Sequence, residues 1–169
     1  MDNQPTPPRL LTVDPALGAI ITHVESSGFS GALRFEPAVY ATIKGLTGGP
    51  SDPTPGTDLV KTIAKFNLCT IETGEVLYST SFGLYQIMGY NLYRLGLHRP
   101  LSEYLAGPNA RILQDAMFAK FLADRNINFT WAEMLADQEK LNVFAERYNG
   151  SLAYGNRMKA IAKEIGKSA

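Results

Sequence analysis

The sequence has little sulfur, little histidine and no excess charge, and each shortage excludes something. Cys69 is its only cysteine, so no disulfide can form within the chain. A fold stapled by bridges is excluded, and folding in a reducing cytosol is favoured, with release elsewhere still open. His23 and His98 are the only histidines, which leaves too few nitrogen and sulfur ligands for a ready zinc site. No metal or other cofactor is expected. Sixteen basic residues balance sixteen acidic ones, so no global field draws the chain to nucleic acid or to an anionic membrane. No apolar run approaches the roughly 20 residues of a membrane span. Met1-Asp2-Asn3-Gln4-Pro5 lacks the basic and apolar regions of a signal peptide. The expectation is a monomer that neither binds nucleic acid nor inserts into a membrane.

What is present fits an ordinary globular protein. An apolar fraction of 45% and a charged fraction of 19% are typical of a soluble domain. With 169 residues, one domain could bury about two thirds of its unfolded surface. Residues 1–13 are proline-rich and read as an extended lead-in to a single domain over 14–169. The glycine- and proline-rich stretch 45–58 reads as a surface loop. Leu59 to Phe66 reads as a helix with Leu59, Ile63 and Phe66 inward. Cys69 to Tyr78 reads as a small hairpin turning at Glu72-Thr73-Gly74-Glu75, the one element of β-structure expected.

Ser79 or Ser81 is a candidate cap for a short helix carrying Phe82, Tyr85 and Met88. Pro100 to Ala106 forms another short helix. Asn109 starts a longer one through about Arg125, with Ile112, Leu113, Met117 and Phe121 as its buried side. Thr130-Trp131-Ala132-Glu133 has the form of a capping box. The next helix places Leu141, Phe144, Ala145 and Tyr148 on one face and stops at Asn149-Gly150. A terminal helix runs from about Asn156 to Ile165. The fold class is therefore mainly α, with seven or eight short helices and one small β-hairpin.

The first helix carries the residue of greatest chemical interest. Asp14-Pro15 gives it an N-cap and a proline at its first position. Leu17, Ile20, Ile21 and Val24 form one apolar stripe. Glu25 lies roughly 80° from the middle of that stripe, neither central to the core nor on the solvent side. Gly28 suits the position after the C-cap, which sets Glu25 near the negative end of the helix dipole. Partial burial and the dipole both disfavour the charged carboxylate, the property required of a proton donor. Cleavage of a glycosidic bond needs such an acid. Sugars present apolar faces and rims of hydroxyls, and Tyr85, Gln86, Tyr90, Asn91, Tyr148 and Asn149 could meet both. Leu17, Ile21, Phe82 and Tyr85 are credible walls for the acid's pocket.

Three segments occur in order: Val24-Glu25-Ser26-Ser27-Gly28-Phe29, Ser81-Phe82-Gly83-Leu84-Tyr85-Gln86-Ile87-Met88-Gly89, and Phe144-Ala145-Glu146-Arg147-Tyr148-Asn149-Gly150. Together they resemble the N-acetylmuramidase family of bacteriophage endolysins and prophages, within the lysozyme and lytic transglycosylase superfamily. The resemblance spans about residues 14–165. It implies a lysozyme-like fold, a cleft for peptidoglycan glycan strands and Glu25 as catalytic acid. It puts Gln86 in the cleft near the scissile bond and Tyr148-Asn149 on the closing helix. Phe35-Glu36 matches a pair that often follows the catalytic glutamate in that family, which makes Glu36 a further candidate for substrate binding. Pro37-Ala38-Val39 lacks the basic residue or histidine that usually comes next.

The activity so implied is hydrolysis of the β-1,4 bond between N-acetylmuramic acid and N-acetylglucosamine. Glu36, Asp58, Glu72 and Glu75 are the candidates for a second carboxylate. The same residues admit two other readings: a lytic transglycosylase, which needs a single glutamate, or a non-catalytic glycan-binding or virion protein. The setting implied is a phage product made in the host cytoplasm. It would act on the cell wall with a holin-type partner, or be carried in the virion.

Overall fold

The computed structural model describes residues 13–45 and 57–166, Thr57 by its backbone alone. Most of the lead-in and most of the 45–58 stretch lie outside the described residues. Within them the fold is mainly α and lysozyme-like: ten helices and a three-stranded antiparallel sheet.

Helix α1 (Pro15–Ser26) begins as its sequence dictates. The Asp14 carboxylate accepts the Ala16 N–H at 3.2 Å, and Pro15 holds the first helical position. The other Asp14 oxygen accepts the Trp131 N–H at 2.6 Å, tying the start of α1 to the start of α8 (Trp131–Ala136). Leu17, Ile20, Ile21 and Val24 are all buried, as the stripe predicts. The helix ends through two left-handed residues, Ser27 and Gly28, so the C-cap is the serine and the glycine follows it.

Strand β1 (Leu33–Phe35) pairs with β2 (Thr80–Phe82), which pairs with β3 (Ile87–Met88). The expected hairpin is therefore displaced. Ile71–Tyr78 is helix α4, capped by the Thr70 hydroxyl, which accepts the Thr73 N–H. Gly74, read as a turn residue, instead lets α4 cross α3 (Thr57–Asn67) closely. A Cβ there would stand 3.0 Å from the Val60 carbonyl and 3.1 Å from the Ala64 Cβ. The expected short helix over Phe82 to Met88 is in fact the β2–β3 hairpin. Gly83 and Gln86 at the two ends of its loop both adopt positive φ, which a right-handed helix does not accommodate.

Helix α5 (Gly89–Arg94) packs against β2 and β3, α2 (Pro37–Ile43) packs against α4, and α6 (Leu101–Ala106) packs against the helix that follows it. Helix α7 (Ala110–Asp124) is central, with Gln114, Met117, Phe118, Phe121 and Leu122 inward. Ile112, expected inside, is 68% exposed. The true stripe runs 110, 114, 117, 118 and 121, and the polar Gln114 within it masks the period. Helix α8 has the predicted capping box, with Thr130 and Glu133 bonding each other's backbone. Helix α9 (Gln138–Asn149) ends at a left-handed Gly150, and α10 (Ala153–Ile165) packs back on α1.

Candidate active site

The loop between β2 and β3 is held from beneath by one amide. Gln114 is 0% exposed. Its Oε1 accepts the Leu84 N–H at 2.7 Å, and its Nε2 donates to the carbonyls of Tyr104 at 2.8 Å and Ser30 at 3.2 Å. Gly83 is required there, because a Cβ would come within 2.6 Å of Gln114 Oε1. Gln86 then curls back on its own loop, donating from Nε2 to the carbonyls of Gly83 at 2.9 Å and Ala32 at 3.2 Å. The Ser26 hydroxyl donates to the Leu84 carbonyl at 3.1 Å, joining the end of α1 to the same loop.

These ties bring four of the predicted residues together with Glu25. A cleft of about 170 Å³ is lined by Glu25, Tyr85, Gln86, Tyr148 and Asn149. Ser81, Tyr90 and Asn91 add polar groups to the wall, and Ile87, Met88 and Phe121 add apolar surface. Arg34 from β1 and Arg125 from the end of α7 complete the lining. Glu36 is not part of it. Its Oε1 accepts the Arg34 Nε–H at 2.6 Å, so Glu36 stands behind an arginine that does line the cleft. Among the described residues that form the cleft, Glu25 is the sole carboxylate. Asp58 and Glu75 are paired with Lys61 and Lys44, and neither they nor Glu72 reach the cleft.

Tyr85 is 1% exposed, which limits what its ring can touch. The ring stacks on Phe118 at a centroid distance of 4.0 Å, and the hydroxyl donates to Asp115 Oδ1 at 2.6 Å. Its carbonyl accepts the Tyr148 O–H at 2.8 Å. Tyr85 is thus a wall whose backbone fixes Tyr148, and no sugar can stack on its face. Phe118, Phe121, Phe144 and Tyr154 all meet the Tyr148 ring within 6 Å, giving the cleft a rigid aromatic base.

Glu25 is half-buried at the end of α1, as its position on the stripe predicts. The Tyr154 hydroxyl donates to its Oε1 at 2.6 Å. Burial, with Tyr148 and the Glu25 carboxylate nearby, holds the Tyr154 hydroxyl far above its usual range, so it keeps its proton and remains a donor. Burial, then the Glu25 charge, pushes Tyr148 the same way. Arg157 donates to the Val24 carbonyl at 2.8 Å, anchoring α10 to the last turn of α1. The sequence reading missed Tyr154 because it started the last helix at Asn156. Begun at Ala153, the helix shows Tyr154, Met158, Ile161 and Ile165 at i, i+4, i+7 and i+11, a stripe that would have found it.

A wider groove of about 730 Å³ lies along α1 and α7, bordered by Gly18, Thr22, His23, Arg111 and Asp115. It contains neither Glu25 nor Gln86.

The family model for N-acetylmuramidases matches residues 66–165, more than half of the chain. The chain is also 32% identical over 138 residues to the endolysin of Enterobacteria phage PRD1, covering 81% of this chain and 87% of that protein. The chain belongs to the N-acetylmuramidase family. Membership makes it a peptidoglycan-degrading enzyme. No solved structure matches the chain at a significant level. The family match takes in Gln86, Arg125, Tyr148, Asn149 and Tyr154 but begins after Glu25 and Arg34. The case for Glu25 in this family member therefore rests on its place in the cleft.

Among the described residues no group of three or more histidine, cysteine or acidic side chains could hold a metal ion, and no helix is long and apolar enough to cross a membrane.

Proposed function

We propose that the protein hydrolyses the β-1,4 bond between N-acetylmuramic acid and N-acetylglucosamine, with Glu25 as general acid. The observation that carries this reading is a half-buried carboxyl, the sole one in the cleft lining, with one oxygen fixed by a buried tyrosine. Tyr154 occupies Oε1, which sets the rotation of the carboxyl and leaves Oε2 as the oxygen that carries and delivers a proton. Protonation of the glycosidic oxygen lets the C1–O bond break, and positive charge develops on the sugar ring. Asn149 and Gln86 supply amides at the cleft, and the aromatic base beneath Tyr148 keeps its walls in register.

Replacing Glu25 with Gln removes the proton while keeping the shape. The expected loss is about 10²–10⁴-fold in release of soluble fragments from purified cell walls, with an unchanged thermal melt. Full activity in that variant overturns the assignment.

The lack of a second carboxylate in the lining favours one other reading, a lytic transglycosylase. There the 6-hydroxyl of the muramic acid attacks its own C1, and Glu25 acts first as acid and then as base. Mass spectrometry of the products separates the two: a reducing end for hydrolysis, a 1,6-anhydro end lighter by one water for transglycosylation. In the hydrolytic reading Glu36 is the candidate partner, paired with an arginine that lines the cleft. Similarity to a phage endolysin supports a product made in the host cytoplasm that acts on the wall once it gains access, with a holin-type partner or from the virion.

A further inference from the structure

The cleft holds two guanidinium groups that cleavage of a neutral glycan chain does not call for. Arg34 reaches it from β1 and Arg125 from the C-cap of α7. The Arg34 side chain is 57% exposed, and its Nε–H is bound to Glu36 at 2.6 Å. That bond occupies Nε, orients the planar group and leaves its two Nη atoms, the end-on edge that can hold a carboxylate by two parallel bonds, for other partners. Arg125 is half-buried, with its guanidinium carbon 5.0 Å above the Phe121 ring. One Nη donates to the Arg147 carbonyl at 3.2 Å. No carboxylate lies within 4.0 Å of it among the described residues. Both side chains are held by neighbours, and both keep unused donors at a cleft whose one carboxylate belongs to the proposed acid.

A polymer of N-acetylglucosamine offers only hydroxyls and acetamides. Peptidoglycan differs from it at the muramic acid, whose 3-O-lactyl arm carries either a free carboxylate or a stem peptide with carboxylates of its own. We infer that Arg34 and Arg125 bind a carboxylate of this lactyl–peptide arm and thereby select the muramic acid to be placed at Glu25. The inference rests on the muramidase reading above and adds to it the part of the substrate that sets specificity.

The test compares walls as isolated with walls whose carboxyls have been capped as methylamides, using the full chain and its Arg34→Gln, Arg125→Gln and Arg→Lys variants. Capping should lower kcat/KM of the unaltered enzyme about tenfold, the usual scale of one charge-assisted contact. That penalty should vanish in the Gln variants and return in part in the Lys variants. An amidase-stripped glycan, with lactyl carboxylates but no peptides, separates the two sources. Sensitivity to capping that persists there places the carboxylate on the lactyl group, and its loss places it on the peptide; either supports the assignment. Indifference of the unaltered enzyme to capping overturns it, as does an equal fall of the Gln variants on capped and uncapped walls. If the unaltered enzyme releases nothing from any wall, the muramidase reading fails. Co-sedimentation with capped and uncapped walls then still decides the role of the arginines.

Discussion

Glu25 and Tyr154 are far apart in the chain, yet their side chains meet at 2.6 Å, and at the scale of single residues that contact is what orients the proposed acid. A carboxyl free to rotate would present either oxygen to the substrate in many orientations. A buried tyrosine whose hydroxyl is held far above its usual range removes most of that freedom. Replacing Tyr154 with Phe should therefore lower kcat about tenfold while leaving KM nearly unchanged, with a stability loss of about 1 kcal/mol. Steady-state kinetics and a urea melt check both numbers. Equal changes in kcat and KM would mean that Tyr154 shapes the cleft without positioning the acid.

At the scale of elements, the β2–β3 loop depends on α7 through a single side chain. Gln114 satisfies one N–H and two carbonyls that would otherwise be buried without partners. Gln114→Leu keeps the volume and strands all three, for a cost of about 2–4 kcal/mol. Gly83→Ala adds a Cβ against the same amide and forces a left-handed alanine, for a cost of about 2–4 kcal/mol. Both should also lower activity, because the loop carries Tyr85 and Gln86. Thr130→Ala makes the contrast. It removes a capping box from α8, which contributes no residue to the cleft, and should cost about 1 kcal/mol without changing kcat/KM. Denaturant melts beside wall-lysis assays distinguish these outcomes.

For the molecule as a whole, the pH dependence of folding should be steepest on the alkaline side. Burial raises the hydroxyls of Tyr85, Tyr104, Tyr148 and Tyr154, and pushes Tyr93 up to about 12, from a usual value of 10.0. Above that usual value the unfolded chain loses protons that the folded chain keeps, so stability falls as pH rises. Below it both states are protonated and the contribution is complete. Each such tyrosine removes about 1.4 kcal/mol per pH unit between its two values, until the folded form also ionises. Urea midpoints should therefore drop sharply above pH 10. A flat profile to pH 12 would contradict the burial of these rings.

Features that depend on neighbours within a turn or two follow from the sequence. Asp14-Pro15 starts α1, the Leu17 to Val24 stripe buries it and sets Glu25 at its rim, Thr130 and Glu133 cap α8, and Gly150 ends α9. It also carried the three motifs whose residues meet at the cleft. What it left undecided were features set by distant partners. Gly74 signals a turn until α3 lies across it, and Phe82 to Met88 looks helical until β1 arrives to pair with β2. Gln114 carries no local signal, and its role emerges only where Ser30, Leu84 and Tyr104 converge on it. Tertiary structure alone put Tyr154 on Glu25, turned Tyr85 inward, placed Arg34 and Arg125 at the cleft, and kept Glu36 behind Arg34. Local pattern encodes which face of an element is apolar, but the identity of the group that meets each side chain is fixed only when the elements assemble.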